Sequence, residues 1–66
     1  MEIVVNGQPQ NVPEGFTAAQ LVEQMGLAGR RIAMEVNLEI VPRSTYEGHA
    51  LSPGDKIEIV HAVGGG

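Results

Sequence analysis

The sequence predicts a small α+β domain in which one main helix packs on a mixed sheet. Three observations lead to this fold class. Short β-branched runs occur at both ends of the chain, a compact helix signature lies between them, and no apolar run approaches the ~20 residues of a membrane span. A chain of 66 residues supports one hydrophobic core and no second one. We therefore expect a single domain with the element order β-β-α-β-β-β.

A β-hairpin is predicted at the start of the chain. The run EIVV is closed by Asn6 and Gly7, the dipeptide that best tolerates the positive φ angles of a two-residue turn. Ile3 and Val5 should face the core, because alternate residues of a strand point to the same side. Pro9 lacks a backbone donor, so we place the returning strand at an edge of the sheet.

A helix of about two to three turns is predicted within the segment GFTAAQLVEQMG. Thr17 and Gln20 have the spacing of a capping box, which satisfies free backbone donors at a helix start. Leu21, Val22 and Met25 lie on one helical face, and the following glycine suits the left-handed residue that ends many helices. A helix this short is not stable alone, so it must pack on the sheet.

Three further strands are predicted in the second half of the chain. RIAMEVN and EIVPR read as two strands joined near Asn37, a residue that tolerates left-handed turn geometry. After STYEGHALSPGD, which ends in a turn signal, KIEIVHAV forms the last strand. Its alternation predicts that Ile57 and Ile59 point inward, and that Val60 and Ala62 point outward. If the first and last strands are neighbours, this order gives a β-grasp arrangement.

The composition argues against several classes of function. The absence of Cys excludes a disulfide scaffold, a thiolate nucleophile and a Cys-ligated metal site. A formal charge of −4 without a basic cluster argues against nucleic-acid binding. His49 and His61 lack the spacing of metal ligands, so no metal site is expected. The start MEIVV lacks the basic region of a signal peptide, so we expect a cytoplasmic protein that does not associate with membranes.

Other polar side chains are assigned structural roles. Tyr46 is expected in the core or at its rim, and Asp55 and Lys56 in the turn before the last strand. Four acidic residues are expected to be solvated charges rather than an acid–base pair: Glu23, Glu35, Glu39 and Glu58.

Two segments carry a resemblance to a known family. AMEVNLEIVPRSTY and LSPGDKIEIVHAVGGG are similar to the sulfur carrier proteins of thiamine thiazole biosynthesis, the ThiS family, whose fold is a ubiquitin-like β-grasp. The similarity covers nearly the whole chain. Its most specific parts are the segment from Asn37 to Arg43, the Gly-Asp turn before the last strand, and the final pair Gly65-Gly66.

The resemblance implies that the chain is a protein cosubstrate rather than an enzyme, and that it binds no cofactor itself. A partner adenylating enzyme similar to E1 enzymes would use ATP to activate the Gly66 carboxylate. A sulfur-donor system would convert this group to a thiocarboxylate, and thiazole synthase would receive the sulfur. Glycines have no Cβ, so the residues before Gly66 suit a narrow channel in another protein. The predicted binding residues are Val60, Ala62, Val63, Gly64 and Gly65.

The predicted boundary of the domain lies close to the end of the sequence. Residues 1–62 should form the β-grasp domain and residues 63–66 a flexible glycine tail, because β-propensity and side-chain packing stop there. Alternative functions remain open at this point. A ubiquitin-like modifier would form an isopeptide bond through the same terminal glycine, and a sulfur carrier of another pathway, such as molybdopterin synthesis, has a similar ending. In a simple β-grasp binding module, the glycines would be dispensable.

Overall fold

In the computed structural model, a five-stranded sheet carries one α-helix on one of its faces, and the structure describes residues 1–61. The strands are β1 (Glu2–Val5), β2 (Gln8–Asn11), β3 (Ile32–Val36), β4 (Glu39–Val41) and β5 (Lys56–His61). The helix α1 (Ala18–Gln24) lies between β2 and β3, and a 3₁₀ helix (Arg43–Gly48) follows β4. The predicted order of helix and strands is confirmed, with the 3₁₀ helix as an addition.

The first and last described strands are neighbours in the middle of the sheet. The strand order is β2-β1-β5-β3-β4, in which β1 and β5 are parallel and the other neighbouring pairs are antiparallel. This is the mixed sheet expected for a β-grasp domain. Pro9 lies on β2, an edge strand, where its missing backbone donor removes no hydrogen bond from the sheet interior.

Both hairpins of the sheet turn through two consecutive residues with positive φ. Asn6 and Gly7, with φ of 50° and 81°, connect β1 to β2 as predicted. Asn37 and Leu38, with φ of 51° and 70°, connect β3 to β4. Two left-handed residues in a row match the right-handed twist of the strands that they join. The two turns therefore have the same backbone geometry but different second residues.

The helix starts with the predicted capping box. The backbone N–H of Gln20 donates to Thr17 Oγ1 at 3.2 Å, and the backbone N–H of Thr17 donates to Gln20 Oε1 at 2.9 Å. Leu21 and Val22 are buried, whereas Met25 is only half-buried. Gly26 follows with a φ of 72°, the conformation predicted for the helix end.

The core lies between α1 and the sheet. Its four largest fully buried side chains are Ile3, Leu21, Met34 and Ile57. The 3₁₀ helix, which the sequence pattern does not predict, contacts α1 and contributes Tyr46 to the core. A six-residue element with one buried side chain has no hydrophobic periodicity, so sequence patterns cannot detect it.

Candidate functional site

The candidate site is built around the C-terminal end of β5, the central strand. Its ladder with β3 extends to the pair formed by Ile32 and His61, whereas its ladder with β1 reaches only Ile57. At that point the chain leaves β1 through Asn6. The Asn6 side-chain Oδ1 then accepts a hydrogen bond from the Ile59 backbone N–H at 2.8 Å. This side chain takes the place of the next backbone acceptor of β1, so β5 stays bonded on that side for two more residues.

The start of β5 is held by a second group of hydrogen bonds. Both oxygens of the buried Asp55 carboxylate accept: Oδ1 from Asn37 Nδ2 at 3.0 Å, and Oδ2 from the Ser52 backbone N–H at 2.8 Å. Asn37 Oδ1 in turn accepts from the Lys56 backbone N–H at 3.0 Å. Asp55 and Asn37 therefore have the predicted turn roles, and they tie the β3–β4 turn to β5.

The sheet face that α1 does not cover carries the only predicted binding residue within the described part of the chain. Val60 lies opposite Ala33 and is 59% exposed, whereas Ile57 and Ile59 are buried on the other face. The outward position predicted for Val60 is therefore confirmed. The end of β5 therefore presents an apolar side chain to solvent one residue before His61.

The same sheet face combines apolar and acidic side chains. Glu35 lies between two neighbours, Ile40 on β4 and Glu58 on β5. Ile40 is 68% exposed and Glu58 is exposed, but Glu35 is only half-buried, which is less solvated than the sequence suggested. We call this set of residues the outer-face patch. It consists of Ala33, Glu35, Ile40, Glu58 and Val60.

The other predicted site residues lie outside residues 1–61. They are Ala62, Val63, Gly64, Gly65 and Gly66. The predicted boundary between domain and tail also lies outside the described part of the chain.

An open cleft of about 350 Å³ lies beside α1, with Arg43 and Tyr46 of the 3₁₀ helix in its lining. Burial raises the pKa of the Tyr46 hydroxyl above its ordinary value, and the positive charge of Arg43 partly offsets this effect. Within residues 1–61, no cluster of three or more His, Cys, Asp or Glu side chains is arranged to hold a metal ion. No helix in this part of the chain is long and apolar enough to cross a membrane.

The comparison with known proteins decides between the families that share this fold. The sequence matches the ThiS family over residues 2–66. The chain belongs to the ThiS family. The predicted resemblance is thereby confirmed.

Individual ThiS relatives agree with the family match in sequence and in structure. The chain is 32% identical to the sulfur carrier protein ThiS of Escherichia coli K12, over the full length of both. The crystal structure of the thiamine biosynthesis protein ThiS from Geobacter metallireducens matches with a TM-score of 0.85 and 28% identity, covering all of both chains. The predicted α+β fold of the β-grasp type is therefore confirmed.

Two longer relatives carry a different name. Thiazole synthases of Paramagnetospirillum magneticum and Magnetococcus marinus are 44% and 41% identical to this chain over all 66 residues. The ThiS-family chain spans only 20% of the length of either thiazole synthase. Both of these proteins therefore contain a segment of the same kind within a much longer polypeptide.

Proposed function

We propose that this chain is a sulfur carrier for the formation of the thiazole part of thiamine. The observation that carries the proposal is the family match over residues 2–66, supported by full-length similarity to a protein named as a sulfur carrier. In this role the chain is a cosubstrate that enzymes modify and regenerate. We place it in the cytoplasm, where it acts without a cofactor of its own.

The proposed chemistry takes place at the carboxylate of Gly66. An adenylating enzyme lets a carboxylate oxygen attack the α-phosphorus of ATP, which releases pyrophosphate and leaves an acyl-adenylate. Sulfide attack at the acyl carbon then displaces AMP and leaves a thiocarboxylate. If the sulfur-donor system supplies a persulfide instead, attack gives an acyl disulfide, and a thiol must reduce its S–S bond to release the thiocarboxylate. Activation by ATP is needed because a carboxylate is a poor electrophile.

The proposed sulfur acceptor is thiazole synthase. Support comes from the two thiazole synthases that contain a segment like this chain, because a carrier and its acceptor in one polypeptide stay at high effective concentration. The described structure supplies a firm base for such a transfer. β5 is the central strand of the sheet, and it is bonded to β3 up to His61, the last described residue.

We further propose that both enzymes dock on the outer-face patch. Val60 and Ile40 offer exposed apolar surface, and Glu35 and Glu58 offer negative charge for basic partner residues. Ala62, Val63, Gly64 and Gly65 would continue this contact into the enzyme's channel.

The proposal is tested with two variants of the terminal residues. Deleting Gly66 leaves a glycine carboxylate but shortens the reach by ~3.5 Å. A misplacement of that size should slow the reaction about 100-fold or more. Gly65→Val keeps the length of the chain but adds a branched side chain, which restricts the backbone and would collide with the wall of a narrow channel. Both variants should melt like the wild type, because neither residue belongs to the described core.

The measurements are ATP–pyrophosphate exchange with the adenylating enzyme, followed by mass spectrometry of the intact carrier. Fragmentation must locate the sulfur at the terminus, because oxidation of any of the three Met residues adds nearly the same mass. Wild-type rates in both variants would show that the terminus is not a threaded substrate. Accumulation of lysine conjugates instead of thiocarboxylate would favour a ubiquitin-like modifier.

A further inference from the structure

The two hairpin turns of the sheet differ in one residue that the backbone does not favour. Both turns place two consecutive residues at positive φ, but the first uses Asn6-Gly7 and the second Asn37-Leu38. In the left-handed conformation the Cβ of an L-residue crowds the following carbonyl oxygen, and glycine avoids this contact. Leu38 is therefore in a conformation that glycine would adopt with less strain.

Packing does not explain Leu38 either. Its side chain is 87% exposed, more than Ile40 or Val60, the other exposed large apolar residues of the described chain. Asn37 already ties the turn to β5, through its bonds to Asp55 and Lys56. The turn thus has its structural residue at position 37, and position 38 adds an apolar side chain that the fold does not use. Local strain that the fold does not need is a reason to look for a function.

The surroundings of Leu38 indicate the chemistry of a partner. Ile40, two residues further on, is 68% exposed on the edge strand β4. Glu39 lies between them in the chain and is exposed, and Glu35 lies opposite Ile40 in the ladder. Two exposed apolar side chains flanked by carboxylates complement an apolar socket with Lys or Arg at its rim. We call Leu38 and Ile40 the apolar edge.

Leu38 lies at the end of the sheet opposite to His61, the last described residue. The Asn37 backbone N–H donates to the Lys56 carbonyl at the start of β5, whereas the strand ends at His61. Five residues of strand separate these positions by roughly 17 Å. An enzyme that binds Leu38 therefore uses a different part of its surface from the part that contacts the end of β5.

We propose that the apolar edge is a docking site for thiazole synthase, in which Leu38 inserts into an apolar socket of the enzyme. This inference rests on the proposed function. Thiazole synthase is chosen because two proteins of that name contain a whole segment of this kind, 44% and 41% identical to the chain. The contact holds the carrier on the enzyme and does not touch the reacting atoms.

The deciding variant is Leu38→Gly, because the proposal predicts that it makes the fold more stable but binds thiazole synthase more weakly. Glycine removes the backbone strain of a Leu residue in the left-handed conformation, so the urea midpoint of the variant should rise. It also removes the anchor, so its Kd for purified thiazole synthase, measured by calorimetry, should increase at least tenfold. Ile40→Thr keeps a β-branched residue in β4 and should weaken binding to both enzymes, because Ile40 also belongs to the outer-face patch.

Gly7→Leu is the matched control, since it places the same side chain in the equivalent position of the other turn. A Cβ at Gly7 meets no atom within 4 Å, so the change adds backbone strain without a clash. The control should lower the urea midpoint and leave the Kd for thiazole synthase unchanged.

Several outcomes would overturn the docking site. One is an unchanged Kd of Leu38→Gly for thiazole synthase. Another is a Leu38→Gly variant that binds only the adenylating enzyme more weakly. Failure of the wild type to bind thiazole synthase would remove the docking site and the proposed acceptor together. The sulfur chemistry is tested separately. Leu38→Gly should still form thiocarboxylate at the wild-type rate, whereas the variant that lacks Gly66 should bind thiazole synthase normally and form thiocarboxylate at least about 100-fold more slowly.

Discussion

Glu35 and Glu58 lie directly opposite each other on β3 and β5, on the sheet face that α1 leaves uncovered. Opposed like charges in a ladder destabilise a sheet by about 0.2–1 kcal/mol. Glu58→Gln should therefore raise the free energy of unfolding by an amount in that range, measured by urea denaturation. The gain should shrink in 1 M salt, where the Debye length falls to about 3 Å. Glu23→Gln, on the exposed side of α1, is the control and should not reproduce the effect.

Val60→Asp tests the outer-face patch as a docking surface. A new carboxylate beside Glu58 and in place of an exposed apolar side chain should weaken binding to the adenylating enzyme and to thiazole synthase at least tenfold. The fold should survive, because Val60 is exposed and the loss of β-propensity costs at most about 1 kcal/mol. Val60→Thr keeps the branched shape and serves as the control. Equal affinities of Val60→Asp and wild type for both enzymes would remove the patch from the mechanism.

Asn37→Gly separates the backbone role of Asn37 from its side-chain role. Glycine keeps the left-handed conformation but loses the bonds to Asp55 Oδ1 and the Lys56 N–H. Because Oδ1 of the buried Asp55 carboxylate then lacks a donor, the free energy of unfolding should fall by about 1–3 kcal/mol. In an Asp55→Ala background, Asn37→Gly should lower the free energy of unfolding by less, as measured by urea denaturation. A loss of the same size in both backgrounds would mean that the two side chains are not coupled.

The ionisation of Tyr46 provides a test in alkaline solution. The chain contains a single Tyr, so ultraviolet absorbance reports its phenolate alone. Burial raises the pKa of Tyr46 in the folded chain, and the charge of Arg43 lowers it in part. Arg43→Gln should therefore raise the pKa further. A decrease in this variant would contradict the proximity of the two groups.

The same shift of the Tyr46 pKa predicts how stability depends on pH. In the unfolded chain a Tyr ionises at about pH 10, whereas folded Tyr46 still holds its proton there. The folded state then binds more protons than the unfolded state, so the stabilising contribution of Tyr46 is complete below pH 10 and is lost as the pH rises through the folded value. Tyr46→Phe should remove this part of the decline, as measured by denaturation at a series of alkaline pH values.

The features that depend on neighbours in sequence could be predicted from the sequence. Asn6-Gly7 determines its own turn, because few other dipeptides tolerate two positive φ angles. Thr17 and Gln20 form a capping box, in which each side chain accepts from the backbone N–H of the other residue, and this motif has a fixed spacing in the sequence. The alternation around Ile57 separates the two faces of β5 without reference to the rest of the fold.

The features that depend on strand register could not be predicted. The hydrogen bond from Ile59 to Asn6 joins residues 53 positions apart, and no local rule selects that partner. The opposition of Glu35 and Glu58 likewise follows from the register between β3 and β5. Most of the predicted site follows His61, so for those residues the sequence interpretation stands as a set of proposals.

The central position of β5 determines how the domain responds to mechanical force. A pull applied at His61 along the axis of this strand runs parallel to the ladder that joins it to β3. The hydrogen bonds of that ladder then bear the load in shear and must break together, instead of opening one after another as in a peeled edge strand. The described domain should therefore stay folded under a pull on β5 that would peel away an edge strand such as β2.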